Sequence, residues 1–337
     1  MKNTPLKTAV LCTAVLLTLS ESGCNKNRRA RRRAIEAPPV APTVSEAQQA
    51  LVRARILAEQ GLDQVALAEF ERAIAINPKL TTAYIGMGEI HKKSGDLNKA
   101  EQAYGRAAEV EPQSFDAQYQ HGLVLQLLNR VADAVRAYIR ALQIRPDDFE
   151  ANLNLATAYL QLNEAGAALP YAQRAVSLNG NSGPARVNLG AVYAALNDYD
   201  AAVVEYQQAA ELMELSPQLL LNLADALGKT GRYAEMQNTL EQLLQMSQTP
   251  VAYERLATSL FKQRDYDAAL QNFRRSLELD PNYYPSLNGV GVSMLNRYLA
   301  SEKQDVEALR EGLAALRRSI QIERRQPAVV ELIARYG

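Results

Sequence analysis

The sequence predicts an all-α fold of stacked repeats, and three observations carry the prediction. Ala66, Ala100, Ala134, Ala168 and Ala202 stand at a strict 34-residue spacing, and Ala73, Ala107, Ala141, Ala175 and Ala209 keep step with them. A fixed period of this length marks units that stack because none can bury its apolar face alone. Within each period the apolar residues recur at helical rather than strand spacing, and no long run of strand-type residues interrupts them. Pro78, Pro112 and Pro146 close successive periods. The residue before a proline resists helical dihedrals, so each marks a helix end.

The units follow in order. The first carries Ala54, Ala66, Phe70, Ala73 and Pro78, and the second Gly88, Ala100, Tyr104, Ala107 and Pro112. The third repeats this as Gly122, Ala134, Tyr138, Ala141 and Pro146, and the fifth as Gly190, Ala202, Tyr206 and Ala209. The seventh gives Ala257, Ala269, Phe273, Ser276 and Pro281. Small residues at two crossing points let helix backbones approach, and the aromatic fills the space beside them. The unit resembles the tetratricopeptide repeat, a pair of antiparallel helices, over residues 45–326. The resemblance implies a right-handed superhelical solenoid of about eight helix-turn-helix units.

Three units depart from the pattern. The fourth has Ala172 in the aromatic slot, Gly180 in place of the proline, and Pro170 early in its second helix. That proline is expected within the first helical turn, where an amide has no partner in any case. The sixth reads Met236, Leu240 and Leu243 and is one residue short. The eighth begins with Leu287, Val290, Gly291 and Met294, then is expected to insert about nine residues around Ala300–Gln304 before a second helix over 306–323. In the tail, 327–337, Val329, Ile333 and Tyr336 share one helical face, which predicts a capping helix.

Formal net charge is zero, but residues 1–36 hold eight Lys or Arg against two Glu, and the remainder 29 basic against 35 acidic residues. An acidic repeat body lacks the electrostatic footprint of a nucleic-acid binder. Lys2 and Lys7 precede the apolar stretch Thr8–Leu19, the layout of an export signal, too short to span a bilayer. Residues 1–24 end in Ser22, Gly23 and Cys24. This resembles the lipobox of bacterial lipoproteins, which implies lipidation at Cys24; Glu21 stands where that family prefers an apolar residue. The alternative is a plain signal cut after Ser22 that releases a soluble protein. Residues 25–44 read as a basic, proline-rich linker. Lys26, Arg28, Arg29, Arg31, Arg32 and Arg33 suit a tether on anionic headgroups, and Pro38, Pro39 and Pro42 suit an extended spacer. The only cysteines are Cys12 and Cys24, so the repeats hold no disulfide, zinc cluster or cysteine nucleophile.

No phosphate-cradling loop, nucleophile elbow or paired-carboxylate motif stands out, and neither enzyme activity nor a cofactor is expected. His91 and His121 occupy slots that pack between helices and read as structural. The resemblance implies that each first helix lines a concave groove, with the sixth position of the unit pointing inward. That position reads Gln120, Asn154, Asn188 and Asn222. An amide offers donor and acceptor side by side, which matches an extended peptide backbone. A similar asparagine ladder lines the superhelix of the O-linked N-acetylglucosamine transferase, whose catalytic domain has no counterpart in this sequence. Position five carries Tyr119, Leu153, Val187 and Leu221, an apolar floor. Repeats that clamp a chaperone's terminal carboxylate use inward Lys and Arg, and here only Arg255 matches those slots. The expected partner is a protein or peptide. Lipoproteins of this repeat class serve as envelope assembly factors, such as pilotins for pilus secretins and adaptors for cell-wall enzymes. The sequence thus suggests a membrane-anchored, non-enzymatic scaffold of that kind, or else a soluble adaptor.

Overall fold

The computed structural model describes residues 45–337. The signal segment expected over 1–24, with Cys24, and the linker expected over 25–44 lie outside the described residues. Helices account for all the regular structure described, and they pair in sequence. The first repeat joins α1 (Glu46–Glu59) to α2 (Asp63–Ile76), the second α3 (Thr81–Lys93) to α4 (Leu97–Val110), and the third α5 (Phe115–Leu127) to α6 (Val131–Ile144). Next come α7 (Phe149–Gln161) with α8 (Ala165–Leu178), and α9 (Gly183–Ala195) with α10 (Tyr199–Leu212). The sixth repeat is α11 (Pro217–Lys229) with α12 (Tyr233–Met246), and the seventh α13 (Pro250–Lys262) with α14 (Tyr266–Leu279). The eighth is α15 (Tyr284–Ala300) with α16 (Val306–Ile322), followed by a single helix, α17 (Pro327–Tyr336). The result is an all-α superhelical solenoid.

Local chemistry starts and stops these helices. Ser45, Ser114, Asp148, Ser182, Ser216 and Thr249 each accept a hydrogen bond from the amide three residues on, at the head of a first helix. Asp96, Asp198, Asp265 and Asp305 do the same for second helices. Such caps satisfy amides that the helix itself leaves bare. The turn inside each repeat needs one left-handed residue, supplied by Gly61, Gly95, Asn129, Asn163, Asn197 and Gly231, again 34 apart. Glycine has no Cβ to clash there and asparagine tolerates the conformation. Arg264 holds the seventh turn at φ 70°, one position early because the sixth unit is short.

The repeat alanines are the contact points. All ten period-defining alanines have no exposed surface. A Cβ on Gly88, Gly122 or Gly190 would stand 2.7 Å from the ring of Tyr104, Tyr138 or Tyr206 of the same repeat. The two phenylalanines instead lean on the following repeat: a Cβ on Gly86 would meet Phe70 at 2.4 Å, and one on Gly289 would meet Phe273 at 2.3 Å. That contact explains why the sixth position is glycine in the second and eighth repeats, where an amide rung would not fit.

Two expectations are corrected. Pro170 is the sixth residue of α8, beyond the first turn, and the helix runs through it. Proline has no N–H for the carbonyl four residues back, and its ring crowds that carbonyl. The residue concerned is Gly166; both it and Pro170 are exposed, and no side chain adds to the crowding. The extra residues of the eighth repeat do not form a long loop. They lengthen α15 and α16 to 17 residues each, against 13 and 14 in the seventh repeat, and leave a short link over 301–305. The tail packs as expected: Val329 is buried against Leu295 and Leu316, with Ile333 and Tyr336 beside it.

Candidate functional site

Successive first helices stand side by side along one face of the solenoid, so their fifth and sixth positions line a shared groove. Three recesses lie along it, of about 670 Å³ over the first three repeats, about 460 Å³ around the sixth and seventh, and about 210 Å³ between the seventh and eighth. Gln120 lines the first and Asn222 the second. Asn154 and Asn188 lie between them, half-buried.

The amides expected to be free rungs are partly engaged. Asn154 Nδ2 donates to the Tyr119 hydroxyl at 3.0 Å. Asn188 Nδ2 donates to Thr157 Oγ1 at 2.7 Å, and Asn188 Oδ1 is buried without a partner. Gln120 Oε1 accepts from Lys92 at 2.8 Å. These bonds join each rung to the preceding repeat. Spacing could not reveal this, because the partners come from other slots of the unit. Asn222 differs: its Oδ1 accepts from Gln218 of its own helix at 2.8 Å, so its amide is the least committed to holding repeats together.

The position-five side chains form the floor and are all half-buried. Val187 and Leu221 pack on the large core cluster of the fifth to eighth repeats. Tyr119 stacks on Phe115 at 5.6 Å and leans on Tyr138; burial, with Glu150 and Asp148 nearby, pushes its phenol up to about 12. Leu153 presents its side chain beside Asn154, while its carbonyl accepts from Thr157 Oγ1 at 2.9 Å. Tyr206 lines the second recess, and burial, then Asp225, raises its phenol to about 12.

Arg255 is the cation foreseen in the groove. Its guanidinium donates to Asp225 at 2.6 Å and to Glu254 at 2.7 Å. Burial works against its charge, but Glu254 and Asp225 outweigh that and hold its pKa up. The same recess also contains Lys229 and Lys262, which stand outside the slots that match a carboxylate clamp. A signal was present: each follows a sixth position by seven residues, two helical turns on and on the same face.

The histidines do not build a site here. His121 stands in a slot that holds Leu155, Leu189, Leu223 and Leu256 in later repeats, and its Nε2 lies 3.3 Å from Glu101. His91 uses its backbone carbonyl to accept from Ser94. Among the described residues no group of three potential metal ligands comes together.

Comparison with known proteins agrees with this architecture. Models of the tetratricopeptide repeat match residues 57–128, 149–182 and 217–250, and 250–283; a further TPR repeat model matches 122–163 and 173–231. Together they run unbroken from 57 to 283. No curated protein matches the chain by sequence. A solved tetratricopeptide repeat protein from Parabacteroides merdae is similar over 74% of this chain and 99% of its own, with 17% identity and a TM-score of 0.50. A chain of the APC/C hetero-tetramer Cut9–Hcn1 is similar over 86% of this chain and 54% of its own, with 18% identity and a TM-score of 0.52. This chain therefore spans about half the length of that relative. At such identities the likeness shows the fold alone. Repeats of this kind bind protein partners, and the chain belongs to the tetratricopeptide repeat family as a protein–protein interaction scaffold.

Proposed function

We propose that the groove holds an extended segment of a partner protein and that the chain does no chemistry of its own. One observation carries the reading: the half-buried floor of Tyr119, Leu153, Val187 and Leu221 runs beside the amides of Gln120, Asn154, Asn188 and Asn222. Apolar contact supplies affinity without direction, and amides suit any peptide backbone. A photo-crosslinking residue at Leu221 should trap the partner, and one at exposed Gln245 on α12 should not. Adducts from Gln245 alone would move the binding surface to the convex side. Replacing Asn222 by Ala should weaken binding of the trapped partner by about 0.5–1.5 kcal/mol, the scale of one net hydrogen bond. The same change at Asn154 or Asn188 also breaks a bond between repeats, so a thermal melt must accompany it.

The same proposal places the chain on a membrane of the cell envelope, anchored by lipid on Cys24 and by the arginine cluster after it, in a role in envelope assembly. What supports this is the sequence of the first 33 residues. No described helix is long and apolar enough to cross a membrane. One acyl chain binds only marginally, and a polybasic segment reinforces it. Cys24→Ser should shift the protein from the membrane to the soluble fraction. A wild-type protein already soluble, or a variant still membrane-bound in high salt, would leave the soluble adaptor as the better description.

A further inference from the structure

The groove is electrically polar along its length. The first recess is lined by four carboxylates, Glu59, Asp63, Glu89 and Asp116, against two bases, Arg55 and Lys93. Lys93 is paired with Asp63 at 3.4 Å and Asp116 lies 3.7 Å from Arg145, while Glu59 and Glu89 are exposed and take part in no ion pair. Arg55 is the one unpaired base of the described lining, and Lys92 beside it is held on Gln120. The second recess reverses the sign. Lys229, Arg255 and Lys262 line it with one carboxylate, Asp225. Arg255 is spoken for by Asp225 and by Glu254 just outside. Lys229 and Lys262 are exposed and have no acidic partner; Lys229 only rests 6.0 Å from the Tyr199 ring.

Between the two ends the groove is almost uncharged. In α7 and α9 the charged residues are Glu150 and Arg186. Arg186 is turned away onto Glu205 of α10 at 2.9 Å. Glu150 stands at the acidic side of the middle. The zero net charge of the whole chain hides this arrangement, because it depends on which charges face inward.

We infer that the groove selects a linear segment with a basic end, an uncharged middle and an acidic end, seated with its basic end at the first three repeats and its acidic end at the sixth and seventh. This rests on the groove being the binding surface. Complementary charge orients a partner and rejects like charge more than it adds affinity. In a long groove it also fixes direction, since reversal would set both ends against their own sign.

The test is a displayed library of random linear peptides panned against the full chain, with affinities of the recovered peptides then measured for variants. Peptides that lose affinity for Leu221→Ala should carry acids toward one end and bases toward the other. Lys229→Glu with Lys262→Glu should weaken them about tenfold. Replacing the acids of the peptide by lysines should restore binding to that variant, and altering its basic end should not. Glu59→Lys with Glu89→Lys should show the mirror behaviour. Affinity should fall as salt rises, because these exposed charges are screened over roughly 8 Å at physiological ionic strength. Groove-dependent peptides without segregated charge, or indifferent to both swaps, would overturn the inference and leave the groove as the binding surface. If every recovered peptide ignores Leu221→Ala, the groove reading itself fails, and this inference with it.

Discussion

The small residues at the crossing points set the tightest constraint in the chain. Ala134 is fully buried, while Ala300 is exposed at the end of α15. Ala134→Leu should overpack the third repeat and cost about 1–3 kcal/mol in a urea melt, and Ala300→Leu should be near neutral. Equal effects would mean that the alanines do not mark helix contacts. The buried tyrosines give a second handle. Burial holds the Tyr206 phenol at about 12, above its ordinary value of 10. The folded state therefore keeps a proton that the unfolded chain releases. The stabilisation is complete below pH 10 and is lost as pH rises from there through about 12. Tyr206→Phe should flatten the fall in stability across that window, as followed by circular dichroism during alkaline titration. An unchanged slope would show that Tyr206 does not contribute to it.

At the scale of elements, α8 carries the clearest local conflict. A proline inside a helix costs about 3 kcal/mol relative to alanine, and Pro170 sits there on an exposed surface. Part of that cost is offset because Gly166 brings no side chain toward the ring. Pro170→Ala should raise the unfolding free energy by about 1–3 kcal/mol without moving the neighbouring repeats. A melt unchanged by the substitution would show that the missing bond carries no penalty. The connections after the fifth and sixth repeats differ from the others. Residues 213–216 and 247–249 lack the proline turn that follows the first three, and caps Ser216 and Thr249 restart the next helix. Each next helix also opens with a proline, Pro217 or Pro250, whose fixed φ suits the first helical position.

At the scale of the molecule, a solenoid gains stability from each unit and its neighbours rather than from one central core. The C-terminal end is closed by α17, which buries Val329 and partly buries Leu332, Ile333 and Tyr336 on the eighth repeat. Ending the chain after Gln326 keeps the bonds of that residue to Asn288 and Ser319 but uncovers Leu295 and Leu316. The eighth repeat should lose at least about 2 kcal/mol of stability. Amide hydrogen exchange should quicken in α15 and α16 and stay unchanged in α1–α10. Uniform acceleration would mean that the repeats unfold as one unit, and no acceleration would mean that α17 is not a cap.

The sequence by itself determined the helical class, the repeat length, the unit count and the core alanines, because similar units repeat one local pattern. The 34-residue spacing of Gly61, Gly95, Asn129, Asn163, Asn197 and Gly231 was equally legible and marks every early turn. It also placed Gln120, Asn154, Asn188 and Asn222 in one register. Only the tertiary structure decided what those amides do at rest. Their partners Lys92, Tyr119 and Thr157 occupy other slots, and the twist between stacked helices brings them within reach. It also decided which glycine each aromatic ring covers, and that the extra residues of the eighth repeat extend helices rather than a loop. The sign of the groove belongs to the same class. Lys229, Lys262, Glu59 and Glu89 share a helix face with the sixth positions in the sequence, but only stacking gathers the acids into one recess and the lysines into another.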